Sequence, residues 1–222
     1  MVLDAAAWPE LPEATTWIRA SLVADVLDSM GYRYQCLPAE LSPLQPGDRL
    51  FGFAYPVRAY EIDYLPEVPY VGLLKALDGI SSGEVFVLGT GRSDAAAGWG
   101  ELLSTACRAA GAVGALVDAP ARDVELIAEL GFAVFARGQR PNDCHGRLEI
   151  EGTVQPVQIG EVTICPGDLV VGDADGVVIV PKAIVAEVLK AAYEKGERES
   201  DFRSAVADGM KPSVAYATFG VL

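Results

Sequence analysis

A chain of 222 residues, 51% hydrophobic and 22% charged, is long enough for one large domain or two small ones with a filled core, and its composition excludes wholesale disorder. Its 17 basic and 31 acidic residues leave a formal net charge of −14 with no basic run, which argues against a nucleic-acid or anionic-membrane surface. An anionic ligand would therefore need a local positive spot, an arginine or a metal.

No apolar run is long enough to span a bilayer, and MVLDAAAWPELPEATTW has acids and prolines where a secretion signal has basic residues and an apolar centre. A soluble, cytoplasmic protein with no membrane partner is expected. Cys36, Cys107, Cys144 and Cys165 are scattered and form no CxxC pair, so neither zinc nor disulfides are expected. Cys107 and Cys165 lie in apolar stretches and read as small core residues.

Residues 1–16, rich in Ala, Pro and Glu, read as an N-terminal arm, 17–181 as the main domain and 182–222 as a C-terminal helical extension. Leu22, Val23, Val26, Leu27 and Met30 fall at helical spacing within 17–30, closed by Gly31 as a left-handed cap. Pro43, Pro46 and Gly47 mark a loop. RLFGFAYPVRAY then reads as a strand broken or bent near Pro56. Residues 70–77 form a short helix, and EVFVLG (84–89) reads as a strand buried on both faces. The following GTGRSDAAAGWG fails as a dinucleotide loop, because Asp94 stands where a third glycine belongs; it reads as a flexible connection.

Residues 98–137 alternate in a way that organises the rest. A helix over 101–110 ends at Gly111, and AVGALVDA is a strand. RDVELIAEL is a helix burying Val124, Ile127, Ala128 and Leu130, closed by Gly131, and FAVFARG is a strand. From about residue 147 the pattern becomes short strands joined by tight turns, including a hairpin around Asp175-Gly176. Residues 182–208 read as one long helix with apolar positions 184, 185, 188, 189 and 192. Its charged end either reaches a neighbouring subunit or is a solvated tip.

Alternating strands and helices leave their loops at one sheet edge, where ligands bind. Gly100 precedes a helix start whose first N–H groups are unpaired and can receive a carboxylate. Arg122 opens the next helix, with a guanidinium able to grip an oxygen pair. Asp123 and Glu101 are hard oxygen ligands, suited with waters to Mg²⁺ or Mn²⁺ rather than Zn²⁺. The same residues are also good caps and dipole partners for their own helices. His145, the single histidine, is a candidate base or an ordinary loop residue.

WGELLSTACRAAGAVGALVDAPARDV, ELGFAVFARG, PGDLVVGDADGVVIVP and KGERESDFRSAVADG resemble the signature blocks of the family holding the regulator of ribonuclease activity A and the 4-hydroxy-4-methyl-2-oxoglutarate / 4-carboxy-4-hydroxy-2-oxoadipate aldolases. The resemblance covers nearly the whole chain. It implies an α/β fold, an α/β/β/α sandwich with mixed sheets of the swivelling-domain type, assembled as a homotrimer or homohexamer. It also implies a metal-dependent aldolase releasing pyruvate from a 4-hydroxy-2-oxo acid, with oxaloacetate decarboxylation as a side activity. In that reading Asp123 binds Mg²⁺ (or Mn²⁺) directly and Glu101 through water. Arg122 contacts the pyruvoyl part, and the backbone of Gly100, Glu101, Leu102 and Leu103 holds the substrate carboxylate. An acid from a neighbouring subunit's C-terminal helix, Glu199 or secondly Glu197, completes the site. Neither Lys75 nor Lys182 stands in a matching block as a Schiff-base nucleophile. Pro120 departs from the family's usual loop before the Arg-Asp pair and is expected to reshape the substrate end of the pocket. The rival readings are a non-catalytic regulator of ribonuclease E, and a related lyase for a different 2-oxo acid.

Overall fold

The computed structural model describes residues 18–222; the arm expected over 1–16 lies outside the described residues. Helix α1 (Ala20–Ser29) precedes a two-residue β1 (Ser42–Pro43) and a long β2 (Leu50–Glu61). Helix α2 (Val71–Gly79), β3 (Glu84–Gly89), α3 (Glu101–Ala109), β4 (Gly114–Val117), α4 (Val124–Leu130) and β5 (Ala133–Ala136) then alternate. Next come β6 (Leu148–Thr153), β7 (Val157–Ile159), β8 (Val162–Ile164), β9 (Leu169–Asp173) and β10 (Gly176–Val180). A 3₁₀ turn (Lys182–Ile184), α5 (Val185–Ala207) and α6 (Pro212–Phe219) close the described chain.

The main sheet runs β1-β5-β4-β3-β2-β9-β10, with β6 also on β2, while β7 and β8 pair separately. Strands β2, β3, β4 and β5 are mutually parallel, and β9 and β10 join antiparallel. Alternation along the strands explains the layering. Phe86, Leu88, Ala115, Val117 and Val134 face one core that also holds Ile127 and Cys107 of the helices. Val85, Val87, Leu116, Phe135, Val177 and Ile179 face a second core inside the curled sheet. Val178 and Val180 face a third, packed under α1 and α5. The order helix, sheet, sheet, helix is the expected α/β/β/α arrangement. Its two β layers, however, belong to one sheet that bends through β2.

Pro56 sits where that bend occurs, and β2 is not broken there. One edge of β2 follows β3; the other is paired first with β9 and then with β6. Ala54 N–H donates to Asp168 O (2.7 Å), and Val154 N–H donates to Pro56 O (2.8 Å). The missing N–H of proline therefore falls in the gap where one partner strand gives way to the next, where no ladder bond is lost.

Several local expectations change. The hairpin pairs Asp173 with Gly176, so its loop is Ala174-Asp175 and Gly176, at φ 130°, opens the strand. The 182–208 helix begins as a 3₁₀ turn. Ala128 is exposed, because α4 buries a single residue, Ile127. Cys165 is exposed, since it stands at the turn before β9, whereas Cys107 is buried; all four cysteines are free. The helical extension expected over 182–222 holds a second, separate helix, α6, which the reading of one helix over 182–208 did not resolve, although Pro212 at its first turn and Gly220 in the left-handed conformation after it are ordinary start and stop signals.

Candidate active site

The three strands β3, β4 and β5 deliver their C-terminal loops to one sheet edge, and the loops go on pairing beyond the strands. Gly98 N–H donates to Pro120 O (2.9 Å) and Arg122 N–H to Trp99 O (3.0 Å). Ala121 N–H donates to Gly138 O and Arg140 N–H to Ala121 O, both at 2.9 Å. This backbone zipper sets the start of α3, the Arg122-Asp123 pair and the loop after β5 side by side.

Between them and α2 lies a cavity of about 360 Å³, lined among others by Gly100, Leu102, Leu103, Arg122, Asp123 and Asp143. The carboxylate of Asp123 does not cap its own helix; Oδ2 instead lies 3.5 Å from the Glu101 N–H at the start of α3 and 3.5 Å from Arg122 Nε. The backbone of Asp123 is left-handed, at φ 57°. That conformation costs a non-glycine residue about 1–3 kcal/mol. Of the four described non-glycine residues with positive φ, two, Tyr70 and Asp123, line this cavity. At Gly100 the requirement is space, since a Cβ there would sit 2.9 Å from Asp123 Oδ2 and 3.3 Å from Arg122 Cγ.

Glu101 is placed differently. Its carboxylate accepts the Thr105 hydroxyl one turn on (2.6 Å), and its side chain is not among those lining the cavity; its backbone N–H is what meets Asp123. Pro120 is buried behind the site and does not line it. Lys75 and Lys182 do not line it either. Glu199, on α5, lies 3.6 Å from Lys195 and lines a separate surface hollow with Phe202, Arg203 and Val221. Glu197 is exposed on the same helix.

Sequence reasoning missed Asp143 and Tyr70. Arg122 Nη2 lies 3.3 Å from Asp143 Oδ1, and the Tyr70 hydroxyl donates to Asp143 Oδ2 at 2.5 Å. Burial pushes the Asp143 carboxyl up, but the Tyr70 hydrogen bond and the Arg122 charge outweigh it and hold the group below its ordinary value. The same hydrogen bond, with burial second, pushes Tyr70 up to about 12. Burial foremost, then Asp143, pushes the neighbouring Cys144 thiol to about 11. The only available signal for Asp143 was position, in the third loop at an edge already suspected of binding.

The connection over 89–100 is not a flexible one. Asp118 and Arg137, both almost fully buried, form an ion pair at 3.2 Å beneath it. Asp118 Oδ2 accepts the Arg92 N–H (2.7 Å), Arg137 donates to Ser93 O (3.0 Å), and Ser93 Oγ donates to Glu61 Oε1 (2.5 Å). His145 lies on the far side of Tyr70, ring centroids 5.4 Å apart, against a separate void of about 40 Å³. Its Nε2 is buried without a protein partner.

Among the described residues no group of three or more His, Cys, Asp or Glu side chains is arranged to enclose a metal. What the site offers is carboxylate oxygen from Asp123 at a solvent-reached cavity, with Glu101 adjoining. Mg²⁺ keeps several waters and takes one or two protein carboxylates, so this donor set fits it, whereas Zn²⁺ would want nitrogen or sulfur.

The family model RraA-like (Aldolase/RraA) matches residues 20–179. The chain belongs to the RraA-like family. It is 30% identical, over 90% of each chain, to a protein of Halalkalibacterium halodurans named "Putative 4-hydroxy-4-methyl-2-oxoglutarate aldolase". The structure of an uncharacterized protein from Pseudomonas syringae pv. tomato superposes with a TM-score of 0.82 at 27% identity, covering 93% of this chain and 92% of that one. Streptomyces coelicolor RraAS2, described as an unusual member of the RNase ES inhibitor RraA protein family, gives a TM-score of 0.76 at 26% identity, covering 88% and 96%. The chain's relatives thus include one named as an aldolase and one described within a ribonuclease-inhibitor family. No helix of the described residues is long and apolar enough to cross a membrane.

Proposed function

We propose that this RraA-like chain is a divalent-metal-dependent carbon–carbon lyase that cleaves a 4-hydroxy-2-oxo acid to pyruvate and a second carbonyl compound. The class includes 4-hydroxy-4-methyl-2-oxoglutarate and 4-carboxy-4-hydroxy-2-oxoadipate. One observation carries the reading: Asp123 turns its carboxylate away from its own helix and toward the start of α3, beside Arg122, on a cavity wall. A capping acid would not do so.

Each group has a task in that chemistry. The first-turn N–H groups of α3, at Leu102 and Leu103, are unpaired within the helix and receive the substrate carboxylate. Arg122 stabilises the negative charge that develops on the keto oxygen as the C3–C4 bond breaks and pyruvate enolate forms. Asp143, holding Arg122 on one oxygen and Tyr70 on the other, is a poor proton acceptor and serves to aim the guanidinium. Asp123, with Glu101 through water, would hold Mg²⁺ or Mn²⁺. The ion, when bound, supplies Lewis-acid stabilisation of the same charge. Enolate stabilisation of this kind also serves oxaloacetate decarboxylation, which is the expected side activity. We further propose a homotrimer or homohexamer in which Glu199 of the C-terminal helix completes a neighbour's site. A cytoplasmic setting fits the four free cysteines.

The test is pyruvate release from 4-hydroxy-2-oxo acids and oxaloacetate, with Mg²⁺ and with chelator. Metal-dependent release that disappears in Asp123→Ala supports the lyase. No release from any of them, together with inhibition of a ribonuclease E activity by the same protein, would establish the binding-protein reading instead.

A further inference from the structure

The loop after β5 grips the other two loops of the site in different ways. Its backbone pairs with the loop that carries Arg122: Arg137 N–H donates to Ala119 O (3.1 Å), beside the two Ala121 bonds already described. Its side chains instead reach the loop that feeds α3. Arg137 Nη2 donates to Ser93 O (3.0 Å), Arg140 Nη1 to Asp94 O (2.6 Å) and Asn142 Nδ2 to Ala95 O (2.8 Å). Consecutive carbonyls of one loop are thus each received by a side chain of the other. Arg140 Nε donates to Asn142 Oδ1 (2.8 Å), which fixes the amide with its nitrogen toward Ala95. The Asn142 carbonyl then accepts the Ala97 N–H (3.0 Å).

Arg137, Arg140 and Asn142 do not line the cavity. What they hold does. Ala97 leads through Gly98 and Trp99 into the start of α3, and Asn142 is followed directly by Asp143, which pairs with Arg122. The buried apolar side chains of the feeding loop, Ala96 and Ala97, are small, so hydrogen bonds more than packing set its position.

We infer that Arg137, Arg140 and Asn142 are positioning residues, a strap that fixes the start of α3 against Arg122. For its effect on turnover the inference rests on the lyase reading. There the α3 N–H groups take the carboxylate of the substrate and Arg122 takes the charge developing on the adjacent keto oxygen. These groups stand on separate loops and must fit one small molecule together. Slack between them costs alignment in the transition state more than it costs ground-state binding.

Asn142→Ala removes the central contact without adding charge, and Arg140→Ala, at an exposed position, removes its neighbour. Gln139→Ala, exposed in the same loop, is the control. Amide hydrogen exchange on the full chain should lose roughly tenfold or more protection at Gly98 and Arg122 in both strap variants. The β3 and β4 amides and the Tm should match the control. In pyruvate release, kcat should fall roughly tenfold while KM stays within about threefold. Unchanged exchange at Gly98 and Arg122 overturns the inference, as does a rise shared equally by the strands, or an unaltered kcat despite a local rise. The lyase reading is judged separately. If the unaltered protein releases no pyruvate, that reading falls, and the strap stands or falls on exchange at Arg122.

Discussion

Two sets of aspartates sit at loop positions of the same sheet and behave in opposite ways. In the β9–β10 half, Asp168 accepts backbone N–H groups from Cys165 (2.7 Å) and Lys182 (2.8 Å). Asp173 accepts those of Ala20 (2.8 Å) and Asp175 (3.0 Å). Both are buried and both have every oxygen occupied by backbone. In the β3–β4–β5 half, Asp123 and Asp143 are partly exposed, bond chiefly to side chains, and face a cavity. The antiparallel hairpin turns its acids inward to tie chain segments together. The parallel strands send Asp123 and Asp143 to a shared edge, where each meets at most one backbone N–H, Glu101 for Asp123 and Cys144 for Asp143, and otherwise faces side chains, while Asp118 after β4 stays buried.

The largest effect that would sharpen this contrast is on activity. Asp123→Gly should reduce metal-dependent pyruvate release roughly hundredfold or more. It should leave stability unchanged or raise it by about 1 kcal/mol, because glycine relieves the left-handed backbone. Turnover and a urea midpoint measured on the same preparation check both halves. Should Asp123→Gly unfold the protein, the contrast between structural and cavity-facing acids would be wrong. The converse variant, Asp168→Ala, removes a buried carboxylate and the acceptor of two part-buried N–H groups, a loss of about 1–3 kcal/mol in total. For a chain of this size that lowers Tm by roughly 2–12 °C. Activity per folded molecule should be unchanged, as scanning calorimetry beside a kinetic assay would show.

The same contrast explains what could be read from the chain beforehand. EVFVLG announces a strand buried on both faces, and the structure alternates Val85 and Val87 into one core with Phe86 and Leu88 into another. The approach of Gly100 to Arg122-Asp123 was legible because strand–helix alternation fixes where loops emerge. Asp143 was not, since a loop carries no periodicity and its partner Tyr70 comes from the start of a helix far upstream. The single bent sheet was hidden too. The pairing of β2 with β9 spans more than half the chain, and Pro56 looks like a break until its missing N–H is seen to face a gap between partners. Cys165 misled because apolar neighbours were taken for burial, when Pro166-Gly167 places it on a turn.

Gly100→Ala is the next step down in size. Gly100 has an extended backbone, φ −162°, which any residue adopts, so the substitution tests space alone. The new methyl displaces the Asp123 carboxylate rather than a backbone atom, and the expected loss is roughly tenfold in kcat/KM with a stability change under ~1 kcal/mol. Unchanged kinetics would mean that the position of Asp123 Oδ2 is not what the site depends on.

Tyr70→Phe has the smallest expected effect and probes how Arg122 is held. Asp143 lies below its ordinary value in the folded protein, so the stability it contributes is full above the unfolded carboxyl value and is lost as pH falls through the lowered folded one. Tyr70, raised from 10.0 to about 12, contributes below 10.0 and loses that contribution as pH rises through about 12. Between these limits the Tyr70–Asp143–Arg122 chain keeps one charge state. Removing the hydroxyl takes away the hydrogen bond that depresses Asp143, so its folded value moves up. The acid loss of stability and of 2-oxo acid affinity should then begin at higher pH than in the unaltered protein, while neutral-pH affinity falls only a few-fold, on the order of one exposed hydrogen bond. Urea midpoints and titrations followed down the acid limb would show the shift. Coincident acid limbs for the two proteins would mean that Tyr70 does not set the Asp143 charge, and that Arg122 is aimed by its backbone zipper alone.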